Sequence, residues 1–376
     1  MHSKVFKIKQ SIDIYEIPLD NSEEVNIQFY KINTREKISI QSSKKVSEFL
    51  AKIDGKTMLS EICINAGLDI NDCDNISFIN FLIEKGILIE SSHYENSDFY
   101  EMYNRQINYF DDLLVDKTGY EAQKLLEEQE VVIFGIGSVG ASIAIHLVRS
   151  GVKRLTLIDY KKISIASIER HPYADKTTIG QYKTTALSNY LKRVNPNCSI
   201  ICFNEKILPQ SNIWNFISAS ASVVVNTADE PYIGHINVKL GRELWGKIPL
   251  YAAGGFDAHN MSTGEFIING LTPCIDCYSN TFKKALKNWK PTYQSSDSLK
   301  RDNESNSLQP LIGGAAGIIP QSLFSASYAT MSIINYLVGN IASKNKFSQR
   351  GEYILNKGII TWVQLEIQKG CAICGF

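Results

Sequence analysis

The stretch VVIFGIGSVGASIAIHL, residues 131 to 147, ends an apolar run on glycines at 135, 137 and 140. A strand that closes in Gly-x-Gly-x-x-Gly and opens a helix offers backbone N–H groups and a helix dipole to one anion. Three readings fit: a dinucleotide, a nucleoside triphosphate, or a tight turn that holds nothing. Asp159 ends the next apolar run, 19 residues after Gly140, the spacing at which a carboxylate bonds ribose hydroxyls. By itself this signals a nucleotide and leans toward NAD.

The residues after Asp159 argue against a dehydrogenase. Arg170 and Lys183 follow it by 11 and 24 positions. A diphosphate cofactor needs few cations there, whereas a site that stabilises a pentacoordinate phosphate needs several. Asp229, in VVNTADEP, ends a later run on the same carboxyl edge, where it could hold Mg²⁺ against phosphates.

Cysteines carry the second chemistry. Of eight, Cys63, Cys73, Cys198 and Cys202 are scattered and read as small buried hydrophobes. The others form CIDC (Cys274, Cys277) and CAIC (Cys371, Cys374). Without a secretory signal a metal explains them better than disulfides, and four thiolates suit a closed, structural zinc. The stretch 278 to 370 contains no cysteine.

The pattern of elements must bring these groups together. From 131 onward strands alternate with helices: VVIFG, a helix over 138–150, RLTLID, a helix over 180–193, SIICFNE, SVVVNTAD, a helix over 233–245, then PLYAAGG. Apolar runs without alternation, joined by helices, imply a mostly parallel sheet covered on both faces, a Rossmann-like α/β fold. Before it, strands at VFKIK, IDIYEI, VNIQFYKI and KISIQS precede helices near 44–53, 57–66 and 73–85 and a short strand ILIE. That is a small α+β unit resembling a winged helix, with SSHYENSDFYE as its exit linker.

Lys plus Arg and Asp plus Glu both number 39, which disfavours a nucleic-acid partner. The local run Lys283, Lys284, Lys287 and Lys290 reads as a solvated face. Residues 280–309, rich in Ser, Asn and Lys, read as a mobile loop. The uncharged stretch 308–343 raises the question of a membrane span, but Pro320, Gln321, Asn335, Asn340 and many serines interrupt it, so it reads as a buried helix. MHSKVFKIKQ has no apolar core of signal-peptide length; the expectation is a cytoplasmic protein without a membrane partner.

From about residue 103 the chain resembles the ThiF/MoeB/ubiquitin-activating superfamily of adenylating enzymes. YNRQINYF is similar to the R-Y-x-R-Q-I segment, LIDYKKISIASIER to L-x-D-x-D-x-V-x-x-S-N-L-x-R, IGQYKTTAL to I-G-x-x-K-x-x-x-A, and NTADEP to the segment whose Asp handles Mg²⁺. The resemblance implies ATP bound by Gly135, Gly137, Ser138, Gly140, Asp159, Ser167, Arg170, Lys183 and Asp229. It places Arg105 across a homodimer on the partner's triphosphate, Arg170 and Lys183 on phosphate, and Asp229 on Mg²⁺. The two CxxC pairs match the family's zinc knuckle. Three departures stand out: Ser138 for the third glycine, Ser167 for the motif's Asn, and His171 for the Gln after Arg170.

Residues 1–92 resemble the PqqD-like module that recognises leader peptides, with FLAKIDGKTMLSEI and ISFINFLIEKGILIE carrying the likeness. The implied groove runs along residues 37–42 and the face of 76–83, where an extended peptide would add one strand. Residues 93–125 then form a linker and arginine-finger helix, and 126–376 the adenylating domain. Together the resemblances imply an enzyme like those of microcin C and pantocin A biosynthesis, with overall similarity favouring the pantocin type. The expected reaction is adenylation of a carboxyl, a Glu side chain, in a ribosomally made precursor peptide encoded nearby, followed by internal condensation. Other readings are adenylylation of a peptide C-terminus, activation of a sulfur-carrier or ubiquitin-like protein, an NAD-dependent dehydrogenase, and a peptide-binding scaffold without ATP turnover.

Overall fold

A computed structural model describes residues 3–20, 24–91, 97–114, 117–228, 233–257, 260–285, 317–340 and 347–374. The chain divides into two compact units, Met1–Lys124 and Leu125–Phe376.

In the first unit β1 (Phe6–Ile8) is separated from a meander of β2 (Ile12–Pro18), β3 (Glu24–Lys31) and β4 (Lys37–Ser43). Helices α1 (Lys44–Ala51), α2 (Leu59–Asn65) and α3 (Cys73–Glu84) follow. β5 (Leu88–Glu90) returns to pair antiparallel with β1. Strand alternation directs Val25, Ile27 and Phe29 of β3 onto Phe49, Leu59, Ile62 and Leu82 of the helices, and all of these are buried. Asp72 caps α3 by accepting from the Asp74 and Asn75 N–H groups. Cys73, the first residue of that helix, is exposed, which corrects its reading as a buried hydrophobe; Cys63 and Cys198 are buried and Cys202 half-buried. Helix α4 (Asp98–Leu113) buries Tyr103, Ile107 and Phe110 at helical spacing, and α5 (Gly119–Glu127) follows it.

The second unit is built on a six-stranded sheet. Its chain order is β6 (Glu130–Phe134), α6 (Ser138–Arg149), β7 (Arg154–Ile158), the short α7 (Ile165–Ile168), α8 (Lys183–Val194), β8 (Ser199–Phe203), β9 (Val223–Asn226), α9 (Ile233–Glu243) and β10 (Leu250–Ala253). β11 (Phe256–Asp257), β12 (Asn260–Ser262), β13 (Gly264–Ile267), α10 (Ile275–Ala285), α11 (Ile319–Leu337), β14 (Gln349–Ile354) and β15 (Ile359–Gln364) complete it. The spatial order is β13-β10-β9-β6-β7-β8, with β13 the antiparallel edge and the other five strands parallel. Val131, Val132, Ile133 and Phe134 are fully buried, as expected of a central strand covered on both faces. The chain leaves β6 toward β7 on one side and meets β9 on the other. The carboxyl ends of these strands therefore flank a crevice, the place where open α/β sheets bind ligands.

Some boundaries differ from the sequence expectation. Helix α8 begins at Lys183 and not at 180, because Gly180 takes a left-handed φ of 85°. Residues 180–182 instead run back along 161–163, with Ile163 N donating to Gln181 O at 2.8 Å and Gly180 N to Ile163 O at 2.9 Å. Residues 280–285, read as loop, continue helix α10; the rest of 280–309 lies outside the described residues. The core of the uncharged stretch forms α11, with Pro320 in its first turn. Among the described residues no helix is long and apolar enough to cross a membrane.

Candidate functional site

The glycine loop is shaped by close backbone approaches at two of its three glycines. Gly135 has φ 87°, and a Cβ there would lie 2.6 Å from Ala228 N. A Cβ on Gly140 would lie 2.1 Å from Gly135 O and 2.4 Å from Thr227 Oγ1. Gly137, the residue preceding α6, differs: a Cβ there would meet nothing within 4 Å. The fold does not demand a glycine at 137, so what it leaves is open space in front of a helix N-terminus, the cradle an anion requires. Thr227 Oγ1 donates to Gly135 O at 2.6 Å and holds the loop against the end of β9.

Asp159 ties this loop to the next strand. Its Oδ2 accepts from Ile136 N at 2.7 Å and its Oδ1 from Lys161 N at 2.8 Å. Each oxygen keeps lone-pair capacity for a further donor such as a ribose hydroxyl. Lys161 stands at the second Asp of the L-x-D-x-D motif, a mismatch visible in the sequence and passed over there.

The segment that carries Arg170 is strapped to the loop. Ser138 Oγ donates to Arg170 O at 2.8 Å, and Tyr173 Oη donates to Ile136 O at 3.3 Å. Ser167 is buried, and its Oγ accepts from Ser164 N at 3.0 Å, capping α7. Arg170 itself is exposed. Lys183 opens α8, with its N–H donating to Lys161 O at 3.1 Å. His171, next to Arg170 in sequence, is 5% exposed, with its ring parallel to Tyr173 at 5.6 Å. Burial, and then the charges of Lys183 and Arg170, hold its pKa down to about 3. Burial and the charge of Asp159 likewise push the Tyr173 phenol upward, so both rings are neutral at pH 7. The structure thus brings Gly135, Gly137, Ser138, Gly140, Asp159, Ser167, Arg170 and Lys183 to the carboxyl ends of β6 and β7. Asp229 lies outside the described residues. Arg105 is exposed on α4, in the first unit. Thr227, Tyr173 and Ser322, which shape the loop, went unread in the sequence, where an isolated hydroxyl residue carries no signal.

The four CxxC cysteines converge. Their sulfurs all lie within 4.8 Å of one another, with Cys274–Cys371 and Cys277–Cys374 at 3.5 Å. Tetrahedral zinc with bonds of about 2.3 Å holds its sulfurs about 3.8 Å apart. Cys277 Sγ accepts from Gln368 N at 3.2 Å; the Cys374 and Ile373 N–H groups hold the Cys371 thiol down to about 6, whereas burial pushes the Cys274 and Cys277 thiols up. Backbone donors of this kind favour thiolate. The donor set, four sulfurs and no other ligand, fits tetrahedral zinc.

In the first unit a cleft of about 300 Å³ lies between β4 and α3, lined by Ile40, Gln41, Val46, Asn75, Phe78 and Phe81. Phe78 and Phe81 stack at 6.5 Å and are only half-buried. The cleft coincides with the groove expected along 37–42 and 76–83.

Residues 103–350 match the ThiF family. The chain belongs to that family. Among its ThiF relatives, the molybdopterin-synthase adenylyltransferase of Salmonella typhimurium is 26% identical over 185 residues, 48% of this chain and 68% of the relative. The tRNA threonylcarbamoyladenosine dehydratase of Haemophilus influenzae is 33% identical over 104 residues, 28% of this chain and 40% of the relative. Escherichia coli MccB, solved with AMPCPP and MccA, superposes with a TM-score of 0.71 at 16% identity, covering 98% of this chain and 99% of MccB. MccB solved with N-formylated MccA, where it is described as a microcin C7 biosynthetic enzyme, gives 0.72. At that identity the likeness establishes the fold over nearly the whole chain.

Proposed function

We propose that the protein uses ATP to adenylate a carboxyl group of a ribosomally made precursor peptide. The observation that carries this reading is the open space at Gly137 before α6, on a loop pegged by Asp159, with the charges of Lys183 and Arg170 both felt at the neighbouring His171. Asp159 takes the ribose, and the two cations neutralise phosphate charge as it develops. The carboxylate attacks the α-phosphorus, the α–β bridge breaks, and pyrophosphate leaves. The protein contributes mainly positioning and electrostatics. Asp229 would hold Mg²⁺, which would supply charge neutralisation for the phosphates. Arg105 of a homodimeric partner completes the site, and zinc on Cys274, Cys277, Cys371 and Cys374 fastens the C-terminal segment.

The substrate reading rests on the first unit and on the relatives. The cleft between β4 and α3 lies beside a strand edge, β4, that can receive an extended peptide, and MccB, the same fold over its length, has been solved with AMPCPP and MccA. No cysteine lies between 278 and 370 to accept the acyl group as a thioester. The activated carboxyl, a Glu side chain, is therefore attacked by a nucleophile of the same peptide, releasing AMP and leaving the peptide one water lighter. A second reading, adenylylation of the peptide's C-terminal residue, draws on the whole-chain fit to MccB. Incubation with short peptides encoded beside the gene, ATP and Mg²⁺ tests both. Arg170→Ala and Lys183→Ala should each lower turnover on the order of 10² to 10³ fold, and near wild-type rates in both variants would overturn the proposal.

A further inference from the structure

The first cysteine pair shares one helical turn. Cys274 stands immediately before α10 and Cys277 lies in its first turn, and both are buried. Tyr278 N closes that turn by donating to Cys274 O at 3.0 Å. Whatever fixes Tyr278 therefore fixes the backbone that carries both thiols.

Neighbouring elements grip the turn at three of its residues. A Cβ on Gly241 of α9 would lie 2.5 Å from Ile275 Cβ, so the two helices are in close contact. Arg242 of the same helix donates to both carboxylate oxygens of Asp276, at 3.0 and 2.9 Å. Its side chain is 54% exposed, and solvent screens such a pair. The third grip lies inside the protein. Arg350 of β14 donates from Nη1 to Tyr278 Oη at 3.0 Å and to Glu265 Oε2 on β13 at 3.2 Å. Its Nη2 donates to Ser262 Oγ on β12 at 3.0 Å. The Glu265 side chain is fully buried and that of Arg350 is 17% exposed, so these bonds act in a low dielectric. A planar fork of donors can hold three partners in one fixed geometry, and here it joins α10 to strands of both sheets.

We infer that Arg350 is a positioning residue for the zinc site, holding the turn of Cys274 and Cys277 through Tyr278 Oη. A ligand pair fixed in advance leaves less chain to be ordered when the metal binds. The inference rests on the zinc reading of the four cysteines given above.

Zinc affinity of the full chain, measured by competition with a chromophoric chelator, tests this, with urea denaturation run alongside. Tyr278→Phe keeps the ring and removes the acceptor. It should weaken zinc binding about tenfold, the lower end of the effect of groups that hold a metal's ligands in place. Arg350→Met should weaken it at least as much, and the double variant should match Arg350→Met alone, because the bond is already gone. Should Arg350→Met not fold, with Glu265 left buried beside no cation, Tyr278→Phe decides by itself. Unchanged zinc affinity in Tyr278→Phe, with or without a loss of stability, would overturn the positioning role alone. So would a further tenfold loss from Tyr278→Phe in the Arg350→Met background. A wild-type chain that takes up no zinc would overturn the zinc site and this role together.

Discussion

Asp159 Oδ2 accepts the Ile136 N–H at 2.7 Å, so the carboxylate assigned to ribose is also the peg that fixes the glycine loop to β7. One residue serves the shape of the site and its ligand, and the two roles separate by substitution. Asp159→Ala leaves the Ile136 and Lys161 N–H groups without their acceptor and should cost about 1–3 kcal/mol of stability. Asp159→Asn keeps one acceptor oxygen and should retain more of the fold while still losing ATP affinity. Chemical denaturation and ATP titration of the two variants check this; equal stability with unaltered ATP binding would contradict it.

Gly137 and Gly140 should respond to alanine in opposite ways. Gly140→Ala forces a methyl to within 2.1 Å of Gly135 O and should destabilise the unit outright. Gly137→Ala meets no protein atom within 4 Å, so Tm should hold while ATP affinity falls about tenfold or more, since the methyl occupies the anion's approach. Thermal unfolding and titration of the pair check the contrast.

How much of this was legible beforehand follows from the range of each interaction. The strand-end positions of the glycine loop and Asp159 were readable because each closes an apolar run, whereas the phosphate roles of Arg170 and Lys183 rest on the family resemblance. The start of α8 was not, because Tyr182 and its neighbours first pair with Lys162 in a short antiparallel bridge that only the folded chain creates. The small sheet β11-β12-β14-β15 was missed as well: β11 and β12 hold only two and three residues, and β14 reads QRGEYI, too charged for an apolar run. Thr227 and Ser322 reach the loop from 92 and 184 residues away, beyond any local pattern. The first-unit strands were placed as elements, but the separate pairing of β1 with β5 depends on a contact across the whole unit.

His171 makes stability depend on pH. Its pKa falls from an ordinary 6.5 to about 3 on folding, so below 6.5 the unfolded chain binds the extra proton and the folded chain does not. Stability contributed by the neutral imidazole is complete above 6.5. It should fall by about 1.4 kcal/mol per pH unit as pH drops toward 3. His171→Gln should flatten that slope in urea denaturation series between pH 6.5 and 4.5; an unchanged slope would contradict it.

The cysteine cluster predicts about one zinc per chain by elemental analysis. Cys277→Ser, which removes one of the buried ligands, should lose the metal and lower Tm, and a strong chelator should do the same to the wild type. Protein that never takes up zinc yet unfolds at an unchanged temperature would refute the clamp.

Adenylation of a peptide is tested most directly by counting nucleotide products against peptide mass in one reaction with ATP, Mg²⁺ and a candidate precursor. AMP formed in step with a peptide lighter by one water per AMP is the predicted result, and an AMP-derived mass added to the peptide would instead select the C-terminal route. ADP in place of AMP, or an unmodified peptide with no AMP from any neighbouring precursor, would contradict the account.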